Sequence, residues 1–232
     1  MLIYLDTETT GLNDNDRLCQ VAYKTKQETV CEYFKPPLPI SIDAMAVNHI
    51  TNKMVANKPP FIGSPTYQKL KKLFDSPENI VVAHGADYDI NMLKREGLNP
   101  TRHICTRKLI HAVGDRYEME KHNLQFLRYY FDIEFENEII AHDALGDIIV
   151  LEQVFINIYE HFYKTKDKTK NQMIIEFEKI SNLPVLLTKI PFGKYEGKSF
   201  TYIADNDIGY LQWLNRQSDL SEEIQHALDQ HL

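Results

Sequence analysis

Leu2-Ile3-Tyr4-Leu5-Asp6-Thr7-Glu8 is the stretch from which the rest of this 232-residue chain can be read. Its four leading apolar residues read as a buried strand. Side chains at i and i+2 of a strand share a face, so Asp6 and Glu8 stand side by side at its end. Two like charges at that spacing repel, and each costs free energy to desolvate. A bound metal ion removes both penalties, so a metal site is the leading explanation of the pair.

Two further acidic runs lie outward from it, His84-Gly85-Ala86-Asp87-Tyr88-Asp89 and His142-Asp143-Ala144-Leu145-Gly146-Asp147. Ile148, Leu151, Phe155, Ile158 and Phe162 recur at helical spacing, which predicts an amphipathic helix over 143–162. On it Asp147 shares a face with Ala144, Leu151 and Val154. An aspartate on so apolar a face needs either a metal or a buried Arg or Lys. Asp89 falls in the first turn of a helix that follows the strand Ile80–Ala83, where the helix N-terminus alone also favours a carboxylate. It is preferred to Asp87 because Tyr88 can pack inward beside the site while Asp87 faces solvent. His142, at the entrance to the helix of Asp147, is either a solvated loop side chain or a general base near neutral pH. His84 ends a strand and reads as structural.

Hydrophobic residues at 43% and charged residues at 25% fit one soluble globular domain with a small appendage. The apolar start breaks at Asp6 without a basic leader, which excludes a signal peptide or a membrane span there. Cys19, Cys31 and Cys105 are scattered and form no CxxC pair, the pattern of reduced thiols in a cytoplasmic protein without a zinc site. A net charge of −7 argues against a general polyanion-binding surface. Nucleic acid would need a local basic strip, for which Lys164, Lys166, Lys168 and Lys170, with Lys189, Lys194 and Lys198, are the candidates.

Strand signals at 2–5, 18–25 and 29–34, the last two a hairpin, alternate with helical segments around Met45, around Met54 and over 66–74. Further helices are expected over 87–96, 108–113 and 124–130, with a short strand at 104–105. The division expected is 1–163, a lysine-rich linker and helix at 164–185, and a small module at 186–232. In that module Lys194, Tyr195, Lys198 and Trp213 either suit a single strand through stacking and phosphate contact or help to build a small core around Tyr210 and Trp213.

Asp6-x-Glu8 followed by Thr9-Thr10-Gly11-Leu12, His84-x-Ala86-x-Tyr88-Asp89 and His142-x-Ala144-x-x-Asp147 resemble, in order and spacing, the three motifs of the DEDDh (DnaQ-like) 3′–5′ exonucleases. Residues 104–109 and His122-Asn123-Leu124 are similar to lesser landmarks of that family, and the 192–213 tail to the C-terminal segment of one of its members. The resemblance implies an α/β, RNase H-like fold: a mixed five-stranded sheet flanked by helices, with a small C-terminal α+β appendage. It implies two Mg²⁺ or Mn²⁺ ions, one held by Asp6, Glu8 and Asp147, the other by Asp6 with Asp89 through water. Ions about 3.5–4 Å apart would activate water and stabilise the leaving 3′-oxygen, and His142 would accept the proton. Thr9, Met45, Asn48 and His49 would contact substrate; Asn48 stands where the family usually has His, and Gly85 where it usually has Asn.

The substrate implied is DNA with a 3′ end, single-stranded or duplex, cut to 5′-mononucleotides in DNA repair, recombination or proofreading. Alternatives are an exoribonuclease and a proofreading subunit bound to a polymerase. A binding module built on an inactive nuclease fold is a different class, and the intact acid set argues against it. Gln172-Met173-Ile174-Ile175-Glu176-Phe177 loosely resembles sliding-clamp docking motifs, or is an amphipathic helix packing its own apolar face.

Overall fold

The computed structural model describes residues 1–114, 119, 121–136, 143–164, 167–185 and 187–232. β1 (Leu2–Thr9) lies at the centre of the sheet, between β2 (Leu18–Lys24) and β4 (Ile80–Ala83). β3 (Thr29–Tyr33) and β5 (His103–Cys105) are the edges, giving the order β3-β2-β1-β4-β5. β2 runs antiparallel to both β1 and β3, while β1, β4 and β5 are parallel. The mixed five-stranded sheet and its early hairpin are as expected.

The helices between them are α1 (Ile42–Asn48), α2 (Asn52–Val55), α3 (Pro65–Phe74), α4 (Ala86–Arg95), α5 (Thr106–Gly114), α6 (Leu124–Tyr130) and α7 (Ala144–Ile158). α7 continues as a π-helical turn, Tyr159–Tyr163. The period of two along β1 divides the core. Ile3 and Leu5 pack with Leu70 and Phe74 of α3 and with Met92 and Leu93 of α4. Tyr4 packs on the other face with Leu151, Val154, Phe155 and Ile158 of α7. Asp6 and Glu8 continue the face of Tyr4, so they meet α7 and its Asp147. Thr7 continues the face of Leu5 and meets α4.

α8 (Lys170–Ser181), the helix expected after the lysine-rich break, packs on the sheet domain. Met173 and Phe177 are buried in the cluster of Tyr4 and Phe155. The Ser181 hydroxyl accepts a bond from the Cys105 backbone N–H at 2.7 Å, and Arg102 grips Glu178 with two bonds. The lysine-rich break therefore interrupts the sequence but not the packing. Of its described lysines, Lys164 pairs with Glu160 and Lys168 with Glu176. Within 172–177, the segment with the clamp-like reading, Met173 and Phe177 are buried in the core while Ile175 is exposed.

Residues 187–232 carry a separate cluster: Ile190 with Phe200, Ile203, Leu211 and Leu214 of α9 (Phe200–Leu214), and Ile224, Ala227 and Leu228 of α10 (Glu222–Asp229). The expected α+β appendage is helical, its β content a single antiparallel bridge between Lys189 and Ser199. Trp213 does not build that core; it is 53% exposed. Among the described residues no helix is long and apolar enough to cross a membrane.

Candidate active site

β1 delivers Asp6 opposite Ala22 and Glu8 opposite Gln20 of β2, and a register irregularity follows at Glu8/Thr9, where the strand turns away. α7 begins at its N-cap Asp143, whose side chain accepts from the Gly146 N–H, and Asp147 stands in its first turn. Ligand oxygens of Asp6, Glu8 and Asp147 lie within 4.8 Å of one another. The grouping expected of these three residues is present.

Asp89 reaches the centre from the other face. It is 4% exposed, and its Oδ1 accepts bonds from the Thr7 backbone N–H at 3.0 Å and the Thr7 hydroxyl at 2.7 Å. Asp87 points to solvent and pairs with Lys108 at 2.8 Å. Gly85, at φ 88°, makes the turn from β4 into α4. Asn is the other residue that tolerates that region, so Gly85 for Asn keeps the backbone the turn needs. Tyr88 is exposed rather than packed inward as expected, and its hydroxyl bonds to Thr9 Oγ1 and Gly11 O.

Burial pushes the Asp6 carboxyl well above its ordinary range, and Asp89, Glu8, Asp147 and Asp143 add to the shift. Glu8 is pushed up to about 8 by burial and then by Asp147, with a bond from Asn48 pulling the other way. Burial raises Asp89 to about 7 against the two Thr7 bonds that favour its charge. Half-buried carboxylates this close together, with oxygen as the sole donor type, fit a hard divalent cation.

The substrate-contact candidates divide. Thr9 and Asn48 are buried and joined, the Asn48 amide donating to Thr9 O at 3.2 Å while its Oδ1 accepts from Ile50 N. Met45 packs in the cluster of Cys19, Ile40, Ile50 and Val55. His49 is exposed at the left-handed C-cap of α1. His142 lies outside the described residues, as does Leu186 of the tail. His84 is structural, as read: its ring nitrogens bond to Thr106 Oγ1 and His122 O, and burial lowers its pKa to about 4.

Sequence reading missed the residues that hold the acids. Gln20 donates to Asp143 Oδ1 at 3.1 Å and Gln125 of α6 to Asp147 Oδ1 at 3.2 Å. Thr7 was passed over because it leaves β1 on the opposite face. The signal for Asp143 was present, an Asp directly before a helical pattern.

A mixed sheet with four acids at its centre defines a nuclease class, and the chain belongs to the exonuclease family described as RNase_T, which it matches over residues 3–155. Membership implies a metal-dependent reaction. Residues 190–219 match a second family, exodeoxyribonuclease X-like C-terminal. Over its whole length the chain is similar to exodeoxyribonuclease 10 of Escherichia coli (strain K12), 29% identical over 245 residues, covering 100% of this chain and 99% of the relative. DNA polymerase III subunit epsilon of Treponema pallidum (strain Nichols) is 30% identical over 178 residues, covering 68% of this chain and 76% of the relative. The solved structure of exonuclease X in complex with 5′ overhanging duplex DNA gives a TM-score of 0.59 at 26% identity, covering 78% of this chain and all of that one.

Proposed function

We propose that this chain is a metal-dependent 3′–5′ exodeoxyribonuclease that releases 5′-mononucleotides from the 3′ end of DNA. The observation that carries the reading is the convergence of Asp6, Glu8 and Asp147 within 4.8 Å beside the buried Asp89. Full-length similarity to an exodeoxyribonuclease favours DNA over RNA and a self-contained enzyme over a polymerase-bound subunit. The exonuclease X complex with duplex DNA supports acceptance of a 3′ end within a duplex as well as a single strand.

Asp6, Glu8 and Asp147 would hold one Mg²⁺ or Mn²⁺, and Asp6 with Asp89 through water a second. When bound, the ions lower the pKa of the attacking water and stabilise the leaving 3′-oxygen. The chain's own residues set the geometry. Thr7 fixes one oxygen of Asp89, Gln125 orients Asp147, and Gln20 with the Asp143 cap anchors the start of α7. His142, next to that cap in sequence, accepts the proton of the attacking water. Thr9, Met45, Asn48 and His49 shape the place of the terminal nucleotide. Residues 187–232 form a separate module that adds strand contact through Lys194, Tyr195 and Trp213. DNA repair, recombination or proofreading is the setting that suits this activity.

End-labelled DNA and RNA of equal sequence, digested with Mg²⁺, Mn²⁺ or EDTA, test the reading. DNA should shorten from its 3′ end with either ion and persist in EDTA. Faster loss of RNA would move the assignment to an exoribonuclease, and cleavage undiminished in EDTA would end the metal reading.

A further inference from the structure

At the carboxyl ends of β4 and β5, beside the acid centre, lies a cavity of about 520 Å³ lined by His84, Arg107, His111, Lys121, His122 and Asn123. It is close to the acids by construction. β1, β4 and β5 are parallel, so their carboxyl ends share one edge, and Gln125, two residues past Asn123, bonds to Asp147.

The lining chemistry is the reverse of the acid centre. Every lining side chain carries nitrogen and, among the described residues, none is a carboxylate. Nine cations of the described residues, Arg17, Lys24, Lys69, Arg95, Arg102, Lys108, Lys164, Lys168 and Lys194, each pair with an acid, and none of the nine lines this cavity. Arg107 and Lys121 make no ion pair among the described residues. The bonds of His84 to Thr106 and to the His122 carbonyl fix the floor of the cavity. The rings of His111 and His122 stand 4.0 Å apart on its wall. Asn123 uses its Oδ1 to cap α6, which leaves its NH₂ as a donor. Two cations that pair with no acid among the described residues, set in one cavity among further nitrogen groups, are matched by a phosphate, whose oxygens suit the guanidinium fork.

We propose that this cavity is a second phosphate subsite, which takes a non-scissile phosphodiester of the substrate strand on Arg107 and Lys121. The inference rests on the nucleolytic reading of the acid centre. The acids act on the terminal phosphodiester, and the subsite holds the strand from which it is cut.

Full-length Arg107→Ala, Lys121→Ala and the double variant test it on two substrates. One is an oligonucleotide across a salt series; the other is the p-nitrophenyl ester of thymidine 5′-monophosphate, which has a single phosphodiester and nothing for the subsite to hold. Each substitution should raise the oligonucleotide KM about tenfold and reduce the salt slope of log kcat/KM by about 0.7. Ester hydrolysis should stay at the wild-type rate. Wild-type KM and salt slope in the double variant overturn the subsite, as does a parallel loss on the ester, which would place the residues at the reaction centre. If wild-type protein hydrolyses neither substrate, the nuclease reading is what fails. Equilibrium binding of a fluorescein-labelled oligonucleotide in Ca²⁺ then still decides the subsite, which stands only if the double variant binds more weakly.

Discussion

Asp6 and Glu8 leave β1 on the face of Tyr4, Thr7 leaves it on the face of Leu5, and both faces serve one centre because Thr7 holds Asp89 from behind. The acids there carry raised pKa values, to about 8 for Glu8 and about 7 for Asp89, with Asp6 moved in the same direction. The metal-free folded protein thus binds these protons more tightly than the unfolded chain. The stability this brings is complete below the ordinary carboxylate pKa and is lost as pH rises through the folded values. In EDTA the melting temperature should fall between about pH 5 and about pH 8.5, a loss that Mg²⁺ reverses. Glu8→Gln removes one of the repelling charges. It should raise the melting temperature in EDTA at about pH 8 while cutting kcat about a thousandfold or more, the scale of several kcal/mol of metal-assisted stabilisation. A lower melting temperature for that variant would mean that repulsion is not what the site stores. Thr7→Val keeps the backbone bond to Asp89 and deletes the hydroxyl bond at 2.7 Å. Because that bond favours the charged carboxylate, its loss should move the acid limb of the kcat profile to higher pH; superimposable profiles would take Thr7 out of the mechanism.

At the scale of elements, β1 and β4 are legible in sequence as short continuous apolar runs and α7 as apolar residues recurring at intervals of three and four, with acids at the end of β1 and in the first turn of α7. α8 was legible as a helix but not in its place. Its attachment depends on Ser181 meeting Cys105 and Glu178 meeting Arg102, pairs 76 residues apart, and no local pattern reports such a distance. A run of lysines reads as a boundary until the glutamates that pair with two of them are seen. Gln20 and Gln125 were invisible for the same reason, since a buried amide is explained only by its partner, and Asp143 lies 123 residues from Gln20. A pair of substitutions separates the two readings of 172–177. Phe177 is 1% exposed among Phe155, Tyr159 and Tyr163, so Phe177→Ala should cost about 3–5 kcal/mol, a fall of roughly 10 °C or more for a chain of this size. Gln172→Ala, on the exposed start of α8, should leave the melting temperature within about 1 °C. Equal and small effects from both would return the segment to a docking role.

For the whole molecule, the question is how an acidic chain holds a polyanion. On the proposed reading, ions in the acid centre with Arg107 and Lys121 beside it would hold the last nucleotides of the strand, and residues 187–232 would hold those farther back. Among the described residues, the hydrogen bonds and ion pairs of that segment all close within it, and its eight buried apolar side chains form a cluster of their own. Its polar face is organised by Asp207, which departs from helical geometry inside α9 and bonds Lys194, the Tyr195 hydroxyl and the Tyr210 N–H. This leaves Lys194 over the Tyr195 ring, Tyr195 against Tyr210, and Tyr210 beside the exposed Trp213. Such a run of rings suits stacked bases rather than a paired helix. A deletion that tests the module should begin after residue 185, because a cut at 171 would remove α8 from the core as well. Trp213 is the one tryptophan of the chain, so intrinsic fluorescence reports on this face alone. Titration of full-length protein with a single-stranded oligonucleotide in Ca²⁺ should quench that emission in step with binding, and Lys194→Ala should shift the titration to higher oligonucleotide concentration by about fivefold, the scale of one lost phosphate contact. If binding saturates by an independent label while the tryptophan emission stays constant, the strand does not cross this face and the module serves another purpose.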